Sequence, residues 1–214
     1  MSRFTILLNG PVIVTDRLLQ LAVGTRAIAA DGGMAHAVPL GLDVELWIGD
    51  FDSTSEALAL RHRDIPCERF SAAKDKTDGE LAAEAAIARG ATSILFVGGF
   101  GGQSDHALGH FALALRLARD GIPVMLSSGE EEAYPVLPGS MHPALPLGSR
   151  MSIIALADLS GLTLRGAHWP LRDAEICLGS TCTLSNIVTG SVEIELASGY
   201  GILIAYPHGA FKAA

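Results

Sequence analysis

The sequence predicts an α/β N-terminal domain with a mostly parallel sheet, followed by a small all-β C-terminal domain of sandwich or barrel type. Over residues 1–130, short β-rich runs alternate with helical patterns, as in sheets whose parallel strands are joined by crossover helices. Over residues 148–214, short apolar runs follow one another without helical patterns, which is typical of antiparallel structure. The proline-rich segment 131–147 between them predicts an irregular linker.

The predicted strands of the first half cover residues 4–8, 26–30, 45–48, 68–70, 93–97 and 124–127. The helices predicted between them cover residues 16–23, 54–62, 78–89 and 104–120. Three helix starts carry capping residues: Thr15, then Ser53 with Glu56, then Thr77 with Glu80. Beyond the linker, strands are predicted at residues 150–156, 162–165, 175–178, 183–188, 191–196 and 201–206.

The composition favours a globular protein without nucleic-acid or membrane partners. Of its 214 residues 49% are hydrophobic, and 23 acidic side chains outnumber 15 basic ones, giving a net charge of −8. No run of lysine or arginine could follow a phosphate backbone, and no apolar segment reaches the roughly 20 residues of a membrane-spanning helix. Cys67, Cys177 and Cys182 match no zinc spacing, so we expect reduced thiols and a cytoplasmic location.

Two acidic residues follow the third predicted strand, where the chain leaves the sheet. Asp50 and Asp52 lie two positions apart, so strand alternation turns both side chains the same way. Carboxylates held this close favour a hard cation such as Mg²⁺, which takes oxygen ligands and keeps positions for water or phosphate. A turn and helix cap at Asp52 and Ser53 is the alternative, and it leaves Asp50 unexplained.

A second polar cluster, Asp31-Gly32-Gly33, follows the second predicted strand. Such strand ends form the edge at which α/β sheets bind ligands. The acid ends the strand, and the two glycines let a ligand approach the backbone closely. A tight turn explains the glycines equally well.

A third cluster, Lys74 to Asp78, precedes the third predicted helix. Asp78 lies in the first turn of that helix, where the helix dipole favours an acid without any function. This explanation is weaker for Asp75. Lys74 and Lys76 could hold phosphate oxygens as point charges, or either could be an ordinary solvated lysine.

A fourth cluster spans residues 98–106, with four glycines between a strand and a helix. Such a loop exposes backbone N–H groups to an anion at a helix N-terminus. It lacks the ending of a Walker A loop and the spacing of the dinucleotide fingerprint. His106 is a candidate base or phosphate contact, although a structural role is commoner for a histidine at a helix start. Together, the acids, glycines and lysines fit metal-assisted transfer of a phosphoryl-type group.

The clusters also resemble, in order, the motifs of the thiamine pyrophosphokinase family: ADGG at 30–33, GDFDS at 49–53, KDKTD at 74–78 and GGQSDH at 101–106. Residues 169–171 and 184–186 resemble landmarks of the family's β domain. The resemblance implies Mg²⁺-dependent transfer of a pyrophosphoryl group from ATP to thiamine, giving thiamine diphosphate and AMP. It also implies a homodimer in which an α/β catalytic domain and a β domain both contribute to the site.

By matching position, the resemblance assigns Mg²⁺ to Asp50, Asp52 and Asp78. Asp31 and Asp75 lie close by in the phosphate site, and either Asp75 or Asp78 helps to remove the hydroxyl proton. Contacts to ATP and its phosphates fall to Gly32, Gly33, Lys74, Gly101, Gly102, Gln103, Asp105 and His106. Thiamine contacts fall to Ser185 and Asn186, for which a polar pair in a strand turn is the alternative. Trp169 supplies apolar surface there or belongs to the core.

Two positions depart from the family pattern. Gln103 stands where the glycine loop usually has an arginine, and His110 stands where an asparagine is common. Glutamine donates hydrogen bonds but brings neither charge nor a bidentate fork. Two other functions therefore stay open: a catalytically weak relative that binds thiamine or a nucleotide, and a pyrophosphokinase for another alcohol such as a pterin precursor.

Overall fold

The computed structural model describes residues 2–51, 54–71 and 75–207, in which thirteen strands form one mixed sheet accompanied by helices. The first half contains β1 (Ser2–Leu7), α1 (Asp16–Ala22), β2 (Arg26–Ala30), a 3-10 helix (Asp31–His36), β3 (Val44–Gly49), α2 (Glu56–Arg61), β4 (Cys67–Arg69), α3 (Asp78–Ala88), β5 (Ala91–Val97), α4 (Ser104–Arg119) and β6 (Val124–Ser127). The second half contains β7 (Glu132–Val136), β8 (Gly139–Met141), β9 (Arg150–Ala155), β10 (Leu159–Ala167), β11 (Leu171–Ile176), β12 (Asn186–Leu196) and β13 (Gly201–Tyr206). The strand order is β11-β10-β12-β9-β13-β7-β6-β5-β1-β2-β3-β4, and β8 pairs with β12.

Six neighbouring strands, from β6 to β4 in this order, pair in parallel. Their carboxyl ends therefore meet at one edge, where an α/β sheet binds its ligands. Strands β1, β2, β3, β5 and β6 are mostly buried, which explains their nearly continuous apolar runs, whereas β4 at the edge of the sheet is exposed. On β1, Ile6 packs into the core beneath α3 and α4, whereas Leu7 packs into the opposite core with Leu18 of α1.

Helix starts agree with two of the three predicted caps. The hydroxyls of Thr15 and Thr77 each accept the backbone N–H three residues further on, at 3.2 Å. Helix α2 differs, because Ser55 provides its cap, and Ser53 lies outside the described residues. None of the helices over the residues described is both long and apolar enough to cross a membrane.

The expected irregular linker at residues 131–147 contains two strands. Strand β7 pairs antiparallel with β6 on one side and with β13 on the other, so it joins the two halves of the sheet. Proline in a strand predicts a break because it has no N–H to donate. The pairing with β6 covers only Glu132 and Ala133, so Pro135 lies beyond it, where proline is tolerated. A domain boundary in this segment stays a prediction.

The second half is antiparallel, and its strands enclose a core of their own. Strand β12 pairs with β9 at its start and with β10 and β8 further along, so it connects two layers. Leu162, Ile194 and Leu203 are among the residues buried between these layers. Two separate strands were predicted over 183–188 and 191–196, but Gly190 lies inside the single strand β12. An isolated glycine weakens a strand without ending it.

A buried ion pair connects α1 to β7. The carboxylate of Glu132 is 1% exposed and accepts two hydrogen bonds from the Arg17 guanidinium. The hydroxyl of Tyr134 donates to the same carboxylate at 2.6 Å. The hydrogen bond to Glu132 raises the pKa of Arg17, and burial raises the pKa of Tyr134. Both groups therefore hold their protons, and the network fastens α1 to the strand that joins the two halves of the sheet.

Candidate active site

Three carboxylates from separate parts of the chain meet at the carboxyl edge of the parallel strands. Asp31 follows β2, Asp50 follows β3, and Asp78 begins α3. One carboxylate oxygen from each lies within 4.8 Å of the others. Among the described residues, this is the one group of three acidic, histidine or cysteine side chains that comes so close together. Oxygens on opposite sides of a bound Mg²⁺ lie about 4 Å apart, so the spacing suits a shared cation.

The backbone around Asp31 is held in an uncommon conformation. Its φ of 44° lies in the left-handed region, which is costly for residues other than glycine. The carbonyl of Asp31 accepts the indole N–H of Trp47 at 2.8 Å, and its Oδ1 accepts the backbone N–H of Phe51 at 3.0 Å. A Cβ on Gly49 would lie 2.0 Å from that Oδ1, so a side chain at this position would displace the Asp31 carboxylate. Strand β3 and the residues after it therefore set the position of the Asp31 carboxylate.

The electrostatics of the group favour a cation. The pKa of Asp31 is raised from 3.8 to about 6, with burial as the largest cause. The hydrogen bond from the backbone N–H of Phe51 lowers this pKa, whereas the carboxylates of Asp78 and Asp50 and a hydrogen bond with Asp78 contribute to its rise. Acids that repel one another in this way are stabilised in their charged form by a positive ion placed between them. The donor set and its charge therefore fit a hard divalent cation.

We expect Asp31 to make the cation-free protein less stable as the pH rises from 3.8 to about 6. Across this window the folded protein keeps a proton that the unfolded chain has already released, so the free energy of unfolding falls with increasing pH. Urea unfolding of the wild type and Asp31→Asn, with chelator present, measures this contribution. The wild type should lose stability relative to the variant across the window, and a constant difference would contradict the raised pKa.

The other residues predicted for the metal and its surroundings have different outcomes. Asp52 and Lys74 lie outside the described residues, so their roles stay predictions. Asp75 is exposed in a turn before α3 and does not belong to the converging group. Asp31, which the family resemblance placed in the phosphate site, lies within the carboxylate group itself.

Gly32 and Gly33 are buried beneath the site. A Cβ on Gly32 would lie 2.3 Å from the side-chain oxygen of Asn9, and one on Gly33 would lie 2.2 Å from the carbonyl oxygen of Leu7. Real Cβ atoms do not approach other atoms so closely. Close packing of the 3-10 helix against the end of β1 therefore accounts for these glycines, and their contact with ATP or its phosphates stays a prediction.

The glycine loop before α4 is accessible. Gly101 and Gly102 are exposed, with φ values of 65° and 64° that glycine adopts at little cost. Phe100 is buried and packs edge-on against Phe111 of α4, with ring centroids 5.3 Å apart. The loop is thus anchored to the helix while its glycines leave the backbone open, as an anion-binding loop requires.

The polar residues at the start of α4 are also exposed. Gln103 precedes the helix, and its side chain makes no capping hydrogen bond. The carboxylate of Asp105 accepts the backbone N–H of His106 at 2.9 Å. Neither residue joins the carboxylate group, so each stays a candidate for nucleotide contact.

A cleft of about 310 Å³ opens between α3 and α4, and is lined by Thr77, Glu80, Asp105, His106, Gly109, His110 and Leu113. Thr77 directly precedes Asp78, so the cleft lies at the N-terminal end of α3, from which Asp78 joins the carboxylate group. The lining contains two carboxylates but, within the described part of the chain, no lysine or arginine. The cleft therefore offers mainly hydrogen-bond acceptors.

Arg69 is a candidate site residue that the sequence analysis did not identify. It ends β4 opposite Gly49, and its guanidinium lies 4.5 Å from the centre of the Phe51 ring. This cation–π contact places a positive charge at the same edge of the sheet as the carboxylates. The available signal was an arginine inside the predicted strand 68–70, close to its carboxyl end.

The predicted thiamine contacts lie at the start of β12, in the other half of the sheet. Asn186 is buried, donates to the carbonyl of Trp169 at 2.7 Å and accepts the backbone N–H of that residue at 3.1 Å. Asn186 thus fastens the segment that carries Trp169. The Trp169 side chain is 56% exposed and is not the core tryptophan that was one alternative. Ser185 is exposed, with a φ of 60°, so contact between this pair and thiamine stays a prediction.

Comparison with known proteins identifies the family of the chain. Residues 21–126 match the family model for the thiamin pyrophosphokinase catalytic domain, and residues 142–200 match that for the thiamin pyrophosphokinase vitamin B1 binding domain. The chain belongs to the thiamin pyrophosphokinase family. The thiamine pyrophosphokinase of Bacillus subtilis is 29% identical over 210 residues, which cover 95% of this chain and 98% of that protein.

Crystal structures of thiamin pyrophosphokinases share the fold over nearly the whole chain. That from Bacillus subtilis superposes with a TM-score of 0.86 at 26% identity, covering 97% of this chain and 100% of the other. That from Geobacillus thermodenitrificans has a TM-score of 0.82 at 24% identity, covering 96% and 97%. That from Candida albicans has a TM-score of 0.79 at 14% identity, covering 96% and 89%. The mixed sheet with its helices is therefore the thiamin pyrophosphokinase fold.

Proposed function

We propose that this protein transfers a pyrophosphoryl group from ATP to the hydroxyl of thiamine, giving thiamine diphosphate and AMP. The observation that carries the proposal is the convergence of Asp31, Asp50 and Asp78 at the ligand-binding edge of the sheet, in a chain of this family. The thiamine oxygen forms a bond to the β-phosphorus of ATP and loses its proton. The bond between that phosphorus and the oxygen bridging to the α-phosphorus breaks, and AMP leaves with that oxygen.

The three carboxylates fit Mg²⁺, because they offer three oxygen ligands close together, and both burial and the neighbouring carboxylates raise the pKa of Asp31. Asp52, two positions after Asp50, is proposed as a further ligand. When bound, Mg²⁺ supplies positive charge against the phosphate oxygens of ATP.

The chain's own residues provide the rest of the positioning. Backbone N–H groups at Gly101, Gly102 and the start of α4 are available to phosphate oxygens. Arg69 offers a guanidinium at the same edge of the sheet. It provides a positive charge that the glycine loop lacks, because Gln103 is neutral. Asp75 is exposed beside α3 and is proposed to take the proton of the thiamine hydroxyl, with Asp78 as the alternative.

A homodimer is proposed for the thiamine site. In the strand order β12 lies eight strand-to-strand steps from β3, which is on the order of 40 Å along the sheet. This separation favours a site completed by the β half of a second copy. The second half also exposes apolar side chains that an interface would cover, among them Leu147, Trp169, Leu178 and Leu184. The cytoplasmic location also stays a prediction.

Product analysis tests the proposed reaction. The protein is incubated with ATP, Mg²⁺ and thiamine, and the nucleotides and thiamine esters are separated chromatographically. We expect AMP and thiamine diphosphate in equal amounts, with AMP formation dependent on thiamine. Formation of ADP with thiamine monophosphate would contradict pyrophosphoryl transfer. Thiamine binding without any AMP would instead support the catalytically weak relative that Gln103 suggests.

The acceptor is tested separately with a panel of alcohols. Thiamine should be turned over faster than other primary alcohols, including hydroxymethyl pterins. Equal or faster turnover of a pterin alcohol would replace thiamine as the substrate while leaving the type of reaction unchanged.

A further inference from the structure

The imidazole of His110 on α4 is fixed in one orientation. Its Nδ1 lies 3.2 Å from the carbonyl oxygen of Gly99, and because a carbonyl only accepts, Nδ1 carries the proton of this hydrogen bond. Burial lowers the pKa of His110 below 6.5, which favours the neutral ring at neutral pH. In that ring Nε2 holds a lone pair and accepts hydrogen bonds.

The Nε2 edge of this ring lies beside the first turn of α3. A Cβ on Gly79 would lie 3.6 Å from Nε2 and 3.8 Å from Cδ2 of His110. His110 also lines the 310 Å³ cleft between α3 and α4. No hydrogen bond joins Nε2 to any residue in the ranges described, so a fixed acceptor is available in the cleft at the N-terminal end of α3.

The surroundings of this acceptor indicate which part of a nucleotide the cleft suits. Glu80, which accepts a hydrogen bond from Arg116 at 2.9 Å, and Asp105 both line the cleft. The Arg116 guanidinium offsets the charge of Glu80, and the Asp105 carboxylate and the neutral imidazole of His110 accept hydrogen bonds from hydroxyl and amine groups. With the phosphates at the neighbouring carboxylate group and its cation, the uncharged nucleoside is the part that fits this cleft.

We propose that Nε2 of His110 accepts a hydrogen bond from the nucleoside of ATP and thereby makes His110 a residue that selects the nucleotide. The donor is either a ribose hydroxyl or the exocyclic amine of adenine. The inference rests on the proposed function, which places the phosphates of ATP beside the cleft.

Calorimetric binding in the presence of Mg²⁺ tests this contact. ATP is compared with 2′-deoxy-ATP, 3′-deoxy-ATP and purine riboside triphosphate, each of which lacks one of the candidate donors. The proteins are the wild type, His110→Leu and His110→Gln. One analogue should bind the wild type about tenfold more weakly than ATP. His110→Leu should bind ATP about tenfold more weakly but should bind that analogue as well as the wild type does.

His110→Gln serves as the matched variant, because its amide can donate to Gly99 and still accept from the ligand. It should keep the affinity for ATP within about threefold and preserve the preference among nucleotides. In His110→Leu the Gly99 carbonyl loses its hydrogen-bond donor, which can lower stability. Thermal unfolding of each variant measures this effect separately from nucleotide binding. Equal loss of affinity for ATP and all analogues, no loss at all, or absence of ATP binding would overturn the proposal.

The two proposals fail in different ways. Thiamine-dependent AMP formation by a protein whose nucleotide preference is unchanged in His110→Leu would remove the His110 contact and leave the reaction standing. The expected preference among nucleotides without any AMP formation would remove the reaction and leave the contact.

Discussion

Asp50→Asn is expected to lower thiamine-dependent AMP formation by about a thousandfold, equivalent to roughly 4 kcal/mol of transition-state stabilisation. Asparagine keeps the shape of the side chain but removes one negative charge from a group of three carboxylates. A cation held by the remaining acids is bound more weakly and positioned less well. Initial rates at saturating ATP and thiamine, over a range of Mg²⁺ concentrations, measure the loss.

Asp43→Asn is the matched control for this substitution. Asp43 is exposed and directly precedes β3. The substitution therefore removes the same charge from the opposite edge of the sheet. Its activity should stay within about twofold of the wild type, since surface substitutions change little. Comparable rates for Asp50→Asn and Asp43→Asn, with both proteins folded by circular dichroism, would contradict the role given to the carboxylate group.

Glu132→Ala is expected to lower the free energy of unfolding by about 3–5 kcal/mol. The substitution removes a buried carboxylate that accepts from Arg17 and Tyr134, leaving a half-buried guanidinium and a buried hydroxyl without that partner. Because β7 joins the two halves of the sheet, the loss falls where the halves meet. Urea denaturation followed by far-UV circular dichroism measures it.

Glu130→Ala removes a neighbouring but exposed carboxylate and should change stability by no more than about 0.5 kcal/mol. The pair substitution Arg17→Met with Glu132→Leu should recover most of the lost stability, because an apolar pair avoids the cost of burying an unpaired charge. A loss below about 1 kcal/mol in Glu132→Ala would show that the ion pair contributes little beyond its desolvation cost.

The parts of the fold that depend on local sequence were predictable. The hydroxyls of Thr15 and Thr77 cap helices by accepting the backbone N–H three residues further along the chain, as the sequence predicted. Strand β7 was missed because Pro135 signals a break locally, whereas only the extent of its pairing with β6 shows that proline is tolerated there. The continuous strand through Gly190 was missed for a similar reason, since its long-range pairing partners sustain it.

The site was predictable to the extent that strand ends share an edge. Asp50 and Asp78 were expected at the metal and do converge, whereas the inclusion of Asp31 depends on its left-handed backbone and on the space left by Gly49. Such contacts between separate strands leave no periodic signal in the sequence. The same holds for His110. The hydrogen bond between its Nδ1 and the carbonyl of Gly99 leaves Nε2 as the acceptor, and the sequence gives no sign of this contact.

The proposed reaction depends most on a divalent cation bound jointly by the three carboxylates. Mn²⁺ is a paramagnetic substitute whose free and bound forms are distinguished by electron paramagnetic resonance. We expect the wild type to bind Mn²⁺. The affinity should be about 100-fold lower in each of Asp31→Asn, Asp50→Asn and Asp78→Asn, and unchanged in Asp43→Asn. Binding of Mn²⁺ to all four variants with the affinity of the wild type would show that these carboxylates do not share a cation.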